Sequence, residues 1–369
     1  MAGRHSNATS THFLGGNSEI GGGTTRTLMT LPRRKFIRNA IMGGLFLPAF
    51  AGSARTWQPG PETIMTARGP VAADKLGKTL SHEHVLVDFI GAGETGYHRW
   101  DRKEVMRVVT PYLEAVRQAG FQSLVECTPA YLGRDPLLLQ ELSAKTGLHI
   151  ITNTGYYGAR NNKFLPPHAL TESAAQLAAR WTTEWEKGID GTDIKPGFIK
   201  IGIDEGPLSA IHQKLVRAAA KTHLATGLTI ASHTGTHAGA FETLDILADE
   251  GVSPEAFIWV HAQAEQDVTR HIAAAKRGAW VSLDGVQDDT ITSYAQTIIK
   301  LRSAGVLNNV LISQDAGWYS PGEKDGGSFR SYLSITNSLI PTLLKNGLHD
   351  DEITGLISRN PARAYGVQG

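Results

Sequence analysis

The chain lacks the features that support several common classes of protein. Its 369 residues include one cysteine, Cys127, which excludes an intramolecular disulfide and a multi-cysteine zinc site. The formal net charge is only +1, from 36 basic and 35 acidic residues, and no basic run contains interleaved aromatics. Both observations argue against a nucleic-acid partner. The composition, 41% apolar and 19% charged, is that of a globular protein.

Long hydrophobic runs are also missing. The apolar stretch at residues 40–50 is too short to cross a membrane comfortably as a permanent helix, so we expect no permanent membrane anchor. It follows Arg33 and Arg34 and precedes small residues, which is the order of zones in a signal peptide. The paired arginines resemble a Tat signal and predict a periplasmic or secreted protein. A basic patch beside an interfacial helix is the alternative.

These features divide the chain into two predicted parts. Residues 1–54 are predicted to be a disordered extension plus the twin-arginine signal peptide, because residues 1–30 are polar, glycine-rich and without periodicity. Met29 stands four residues before the arginine pair and is the expected true start. Residues 55–369 are predicted to form a single domain. Folding in a reducing cytoplasm before export fits the absence of disulfides.

Short apolar runs alternate with helical patterns after residue 70. There are eight such runs, and most are rich in Val and Ile, as buried parallel strands are. Strand–helix alternation repeated eight times predicts a (β/α)8 TIM barrel. A doubly wound open sheet is the competing fold, but no G-x-G-x-x-G follows the first strand. The predicted strands are residues 79–89, 122–128, 148–155, 197–203, 228–234, 257–262, 279–285 and 310–316.

Helical spacing of apolar residues is clear in three of the intervening segments. These are residues 101–120, 207–226 and 238–250. Gly120 stands where a C-terminal cap belongs. Pro111 interrupts the pattern of the first segment and predicts a kink or a break there.

Polar residues within and late in these strands indicate a site, because the chemistry of such barrels lies at the C-terminal ends of the strands. Two histidines at i and i+2 of the first strand point to the same side, and a lysine among isoleucines is costly unless it is paired or chemically altered. Each residue alone could be structural and bonded to nearby groups. Together they predict a metal centre. The residues are His82, His84, Lys200, His233, His261, Asp284 and Asp315.

Other polar residues are predicted to lie outside this centre. His223 falls in a helical segment and is assigned to packing or to the surface. His237 follows the fifth strand and is assigned to a loop, from which it could touch substrate. Asp88 is expected to bond a neighbouring loop, and Cys127 to act as a small buried apolar group.

Five motifs, taken in order along the chain, resemble those of the phosphotriesterase family of the amidohydrolase superfamily. The resemblance covers roughly residues 62–369, and the ordered set is far more specific than any one motif. The motifs are SHEH (81–84), FIKIG (198–202), ASHTG (231–235), WVHA (259–262) and ISQD (312–315).

This resemblance implies a binuclear metal centre at the C-terminal ends of the strands, usually with two zinc ions. The lysine would be N6-carboxylated, which turns a buried cation into an anion with two oxygens. The implied ligands are His82, His84 and Asp315 for the more buried metal, His233 and His261 for the other, and Lys200 for both.

The resemblance also implies a hydrolase in which a hydroxide shared by the two metals attacks an ester. Asp315 would accept the proton, so the catalytic residues are expected to be Asp315, Lys200 and Tyr157. Tyr157 falls where lactonases of the family place a tyrosine beside the metals, which favours a lactone or similar carboxylic ester. The alternative is that Tyr156 and Tyr157 merely line the pocket.

One departure bears on the substrate. The phosphotriesterases proper carry a proton relay through an aspartate and a histidine, and the corresponding positions here are Ala264 and Gly285, although Asp284 remains. Fast phosphotriester turnover is therefore not expected. The alternatives are an organophosphate triesterase (aryldialkylphosphatase), an amidase, or a non-catalytic metal-binding barrel. The expected partner is a small ester or lactone, and the resemblance suggests a homodimer.

Overall fold

The computed structural model describes residues 63–366. The predicted signal segment with Met29, Arg33 and Arg34, and the predicted domain boundary at residue 55, lie outside the described residues. Within residues 63–366, no helix has both the length and the apolarity needed to cross a bilayer.

All eight predicted strand regions contain strands, each shorter than its apolar run. An antiparallel hairpin of β1 and β2 precedes them, and the third run is divided into two short strands. The strands are β1 (Thr63–Thr66), β2 (Gly69–Ala72), β3 (Thr79–Leu86), β4 (Ser123–Glu126), β5 (His149–Ile151), β6 (Asn153–Thr154), β7 (Phe198–Gly202), β8 (Ile230–His233), β9 (Phe257–Val260), β10 (Trp280–Leu283), β11 (Val310–Ile312) and β12 (Gly317–Tyr319).

Every pairing among β3 to β12 is parallel. One set of neighbours is β12-β3-β4-β5 and the other is β6-β7-β8-β9-β10-β11, and only Thr152 separates β5 from β6. Backbone hydrogen bonds join the last strand region to the first, since Asp315 N donates to His82 O at 3.2 Å and His84 N donates to Ala316 O at 3.0 Å. The strands therefore form the predicted parallel α/β barrel.

Helices follow the strands along the chain and several begin at a capping side chain, such as Asp101, which accepts from Glu104 N. Short π-helical turns at Ile335–Leu339 and Gly355–Arg359 precede α9 and α11. The α-helices are α1 (Arg102–Gln118), α2 (Pro136–Thr146), α3 (Pro167–Thr171), α4 (Ala174–Lys187), α5 (Ala210–Thr226), α6 (His237–Asp249), α7 (Val268–Arg277), α8 (Ile291–Ser303), α9 (Ile340–Lys345), α10 (Asp350–Thr354) and α11 (Asn360–Tyr365).

Helix α1 runs through Pro111 without a break, so of the predicted kink or break the break is excluded. Proline removes one backbone hydrogen bond of the helix, but apolar residues on both sides of it, including Val109 and Leu113, are fully buried. Their packing holds the two halves in one helix. Gly120, with φ +88°, lies just past the C-cap residue Ala119, which confirms the predicted stop.

Strand β3 is unusual because all eight of its residues are buried while most of them are polar. Burying polar groups is costly unless each finds a partner. The partners of its two histidines and of Glu83 define the site at this end of the barrel.

Candidate metal centre

Three of the predicted ligands converge at the ends of β3 and β11. The ligand atoms of His82, His84 and Asp315 all lie within 4.8 Å of one another. His84 Nε2 is 3.0 Å and His82 Nε2 is 3.5 Å from Asp315 Oδ1. Asp315 reaches the histidines from a left-handed backbone conformation with φ +48°. The period of two in β3 places the two histidines on the same side of the strand. Closure of the barrel between its first and last strand regions brings the aspartate to them.

Thr128 determines which nitrogen of His84 carries the proton. Thr128 Oγ1 lies 2.6 Å from Glu126 Oε1 and 2.7 Å from His84 Nδ1. Both Glu126 oxygens also accept backbone N–H groups, from Val85 and Thr128, so Glu126 is an acceptor and the Thr128 hydroxyl donates to it. Thr128 Oγ1 then accepts the N–H of Nδ1. The lone pair of His84 Nε2 is left facing Asp315.

These unsatisfied atoms fit a metal ion. A nitrogen lone pair and a carboxylate oxygen at 3.0 Å repel each other unless a cation lies between them. Both ring nitrogens of His82 and Asp315 Oδ1 are buried without a hydrogen-bond partner among the described residues. One proton on His84 would relieve a single contact and leave the other atoms unsatisfied. Imidazole nitrogens with a carboxylate form a donor set that suits zinc.

The protonation states agree with this fit. Burial, assisted by the charge of Lys200, lowers the pKa of His82 to about 4. Burial acts to raise the pKa of Asp315, but protons on His82 and His84 directed at its carboxylate outweigh burial and hold that pKa well below its usual range. A cation in the place of those protons would act in the same direction. At neutral pH His82 is neutral and Asp315 is ionised, which are the forms that bind a metal.

His233 and His261 lie beside this trio as a pair. Their ring centroids are 4.4 Å apart, and His261 is 5.0 Å from His82. Asp284 Oδ1 lies 2.6 Å from His261 Nδ1. Burial acts to lower the pKa of His261, but the Asp284 carboxylate outweighs it and raises that pKa. Asp284 therefore holds the Nδ1 proton and leaves His261 Nε2 for the site.

Lys200 on β7 is 2% exposed. Its side chain lines the same cavity as the histidines, and no hydrogen bond or ion pair of its ammonium group occurs among residues 63–366. The Lys200 Nζ is not among the fully buried polar atoms without a partner, because the side chain opens on the cavity between the predicted ligands.

All six predicted ligands line one cavity of about 230 Å³. Tyr157 forms part of its wall, with Tyr157 Oη 3.1 Å from His233 Nδ1. Burial raises the pKa of Tyr157, so its hydroxyl remains a donor at neutral pH. Arg160, Trp318 and Cys127 also line the cavity, and Cys127 belongs to a buried apolar cluster, as predicted.

Glu83 has a role that the sequence argument missed. It points away from the two histidines, and its carboxylate accepts hydrogen bonds from Ser313 Oγ at 2.7 Å, Gln314 N at 3.0 Å and Ala316 N at 2.7 Å. Burial raises its pKa to about 8, and these hydrogen bonds oppose the rise. Because the donors lie on both sides of Asp315, Glu83 fixes the segment that carries this ligand. The sequence could have indicated this role, because a charged residue in the middle of a buried strand requires hydrogen-bond partners.

Three of the other predicted residues lie outside the centre. His237 is the first residue of α6 and contacts Glu265 at 2.5 Å, so its assignment to a loop was wrong. The start of α6 at His237 was not predicted because only a short turn joins the end of β8 to the helix. His223 Nδ1 lies 2.9 Å from Leu228 O, which confirms a packing role. Asp88 pairs with Arg99 at 3.1 Å, as expected.

The position of the missing relay histidine is filled by other side chains. A Cβ on Gly285 would lie 2.7 Å from Tyr294 Oη and 2.8 Å from Gln263 Nε2. Gln263 is held there because its Nε2 donates to Asp284 Oδ1 at 3.0 Å and its Oε1 accepts from Asp284 N at 3.1 Å. The structure thus leaves no room for a larger residue at 285.

Comparison with known proteins places the chain in a family. Residues 62–365 match the Phosphotriesterase family. The Phosphotriesterase homology protein of Escherichia coli (strain K12) is 29% identical over 296 residues, which cover 79% of this chain and 99% of that protein. The aryldialkylphosphatase of Saccharolobus solfataricus is 26% identical over 312 residues, covering 82% and 98%.

A solved structure agrees with this assignment. The organophosphorus hydrolase from Deinococcus radiodurans superposes with a TM-score of 0.75 at 25% identity, over 84% of this chain and 98% of that chain. The fold, the histidine–aspartate group and the family match agree with one another. The chain belongs to the Phosphotriesterase family of the amidohydrolase superfamily and is a metal-dependent hydrolase of that family.

Proposed function

We propose that this hydrolase holds two divalent metal ions and hydrolyses a lactone or a similar carboxylic ester. The histidine and carboxylate donors favour zinc as the metal. The ligand assignment follows the family resemblance and is supported by the convergence of six side chains on one cavity. The first ion would bind His82, His84 and Asp315. The second would bind His233 and His261.

Lys200 would connect the two ions as an N6-carboxylated side chain. Its position in the lining of the cavity, together with both groups of predicted ligands, supports this. A Lys200→Met variant keeps a long side chain but cannot form a carbamate. We expect it to bind about one ion per chain where the native protein binds two, measured by elemental analysis, and equal stoichiometry would count against the bridging role.

One observation carries the choice of substrate, namely the position of Tyr157. Its hydroxyl is 3.1 Å from His233 Nδ1 and stays protonated because burial raises the pKa. A phenol at this point can donate a hydrogen bond to a carbonyl or ring oxygen of a bound ester.

The bound ions and Asp315 would have separate roles in opening the lactone ring. When bound, the two ions supply Lewis-acid activation of a water and of the scissile oxygen. Asp315, ionised at neutral pH, would accept the proton of the attacking water and return it to the leaving oxygen. The leaving oxygen of a lactone stays tethered to the product, so a dedicated relay to solvent is less necessary.

The test compares two substrates on one zinc-loaded preparation of the full chain. We expect kcat/KM for a medium-chain lactone to exceed that for an aryl phosphotriester by at least tenfold, and Tyr157→Phe to reduce lactone turnover about tenfold or more. Phosphotriester turnover equal to or above lactone turnover would overturn the proposal. Bound metal without turnover of any ester would favour the non-catalytic barrel.

The second candidate is an organophosphate triesterase. The names of the similar aryldialkylphosphatase and organophosphorus hydrolase favour it. The packing of Gln263 and Tyr294 against Gly285 argues against it, because no relay histidine fits there.

We also propose that the protein is exported by the Tat pathway and forms a homodimer. The support for export is the order of zones around Arg33 and Arg34. Replacing both arginines by lysine should retain the protein in the cytoplasm, as measured by cell fractionation. Sedimentation of the purified protein would test the dimer.

A further inference from the structure

Arg160 lies at the cavity of the metal centre and takes no part in the chemistry described so far. Its side chain belongs to the cavity lining together with Phe89, Tyr157 and Trp318. The residue is exposed to solvent. It is the one arginine among the described residues that line this cavity.

The local backbone is built to hold Arg160 at this place. Arg160, Asn161 and Asn162 all have positive φ, at +59°, +57° and +61°, a conformation that is costly for residues other than glycine. Asp204 compensates the cost, since its Oδ1 accepts from Arg160 N at 2.6 Å and its Oδ2 accepts from Asn161 N at 3.2 Å. Such strain concentrates at sites with a function.

The guanidinium is positioned but not neutralised. Its Cζ lies 5.5 Å from the centroid of the Phe89 ring, and the guanidinium also contacts the Tyr157 hydroxyl, whose pKa it acts to lower. Because a guanidinium carries five N–H donors, these two contacts leave other donors available for a ligand. No ion pair with Arg160 occurs among residues 63–366, and the carboxylate of Asp204 accepts from the backbone N–H groups of Arg160 and Asn161. The other rim cation, Lys163, donates to Phe89 O at 2.6 Å and is therefore engaged.

We propose that Arg160 selects substrates that carry an anionic group (carboxylate, sulfonate or phosphate) remote from the bond that is cleaved. The guanidinium edge binds that anion at the mouth of the cavity while the ester lies at the metal centre. A planar fork of N–H donors suits such oxyanions and forms paired hydrogen bonds with them. This inference rests on the proposed function and narrows it to anionic lactones or esters.

The kinetic test uses a matched pair of γ-lactones, one bearing a side-chain carboxylate and the other the corresponding primary carboxamide, with the zinc-loaded full chain. We expect the carboxylate to be preferred about tenfold in kcat/KM, chiefly through KM. Arg160→Gln should abolish the preference, so that the ratio of kcat/KM for the carboxylate to that for the carboxamide falls to about one, and Arg160→Lys should retain part of it. Lys163→Gln is the control of equal charge change and should keep the preference.

A binding test separates this inference from the proposed activity. Cyclopentanesulfonate is a weak metal ligand, so its affinity reports the guanidinium, and cyclopentanesulfonamide is its neutral counterpart. We expect calorimetry to give tighter binding of the sulfonate to the native protein than to Arg160→Gln, and no such difference for the sulfonamide. Lactone turnover with equal sulfonate affinity in both proteins overturns the role of Arg160. Arg160-dependent sulfonate binding without turnover of either lactone supports the anion site and refutes the lactonase.

Discussion

Thr128 Oγ1 lies 2.7 Å from His84 Nδ1 and orients a predicted metal ligand on β3. The hydroxyl can accept from His84 because its own proton goes to Glu126, at 2.6 Å. Glu126 thus acts on the site through Thr128. The tautomer of His84 depends on these two residues, neither of which is a predicted metal ligand.

Thr128→Val should weaken zinc binding about 10- to 100-fold, because valine has the same shape but cannot accept the Nδ1 proton. Affinity is measured by competition with a chromophoric chelator. Thr128→Ser keeps the hydroxyl and is the matched control. Equal affinities for the valine and serine variants would mean that the hydroxyl does not orient His84.

Glu83→Gln should lower both the free energy of unfolding and the zinc affinity. The carboxylate accepts from donors on both sides of Asp315, and an amide would turn one N–H group toward another donor. The expected loss is about 1–3 kcal/mol for an unsatisfied buried group, measured by urea unfolding at about pH 9, because burial raises the Glu83 pKa to about 8 and the carboxylate prevails only above that value. Glu186→Gln, at an exposed position on α4, is the control, and a Glu83 variant as stable as this one would contradict the prediction.

Gly285→Ala should destabilise the protein by about 1–3 kcal/mol, because the added Cβ would lie 2.7 Å from Tyr294 Oη. Tyr294→Phe removes that oxygen, so the double variant should recover part of the loss in a double-mutant cycle of unfolding free energies. Gly93→Ala is the control, since nothing lies within 4 Å of its Cβ. Additive effects of the two substitutions would show that Gly285 and Tyr294 do not compete for space.

Removal of metal should lower the melting temperature, and added zinc should restore it. Ligand at 100 times its Kd stabilises a native state by about 2.7 kcal/mol, and the unpartnered atoms of His82 and Asp315 are left without a cation. Calorimetry with and without chelator measures the effect. The melting temperature of Asp315→Asn should change much less on addition of chelator. An unchanged melting temperature of the native protein on chelation would contradict a metal at this site.

Much of the fold follows from local patterns in the sequence. Runs of Val and Ile define the strands, and the period of two places His82 and His84 on one side of β3. Alternation of strands with amphipathic helices gives the barrel, which in turn predicts that Lys200, His233 and His261 face the same end. These inferences need only neighbours in sequence and a known architecture.

The tertiary structure decided the rest, because the decisive contacts join residues far apart in the chain. Ring closure between the first and last strand regions brings Asp315 to His84, and Glu83 then holds the segment around it. Burial of Val109 and Leu113 outweighs the cost of Pro111 within α1. The residue types at the strand ends follow from local patterns, whereas packing across the barrel determined their partners, their proton positions and the placement of Arg160 against Phe89 and Tyr157.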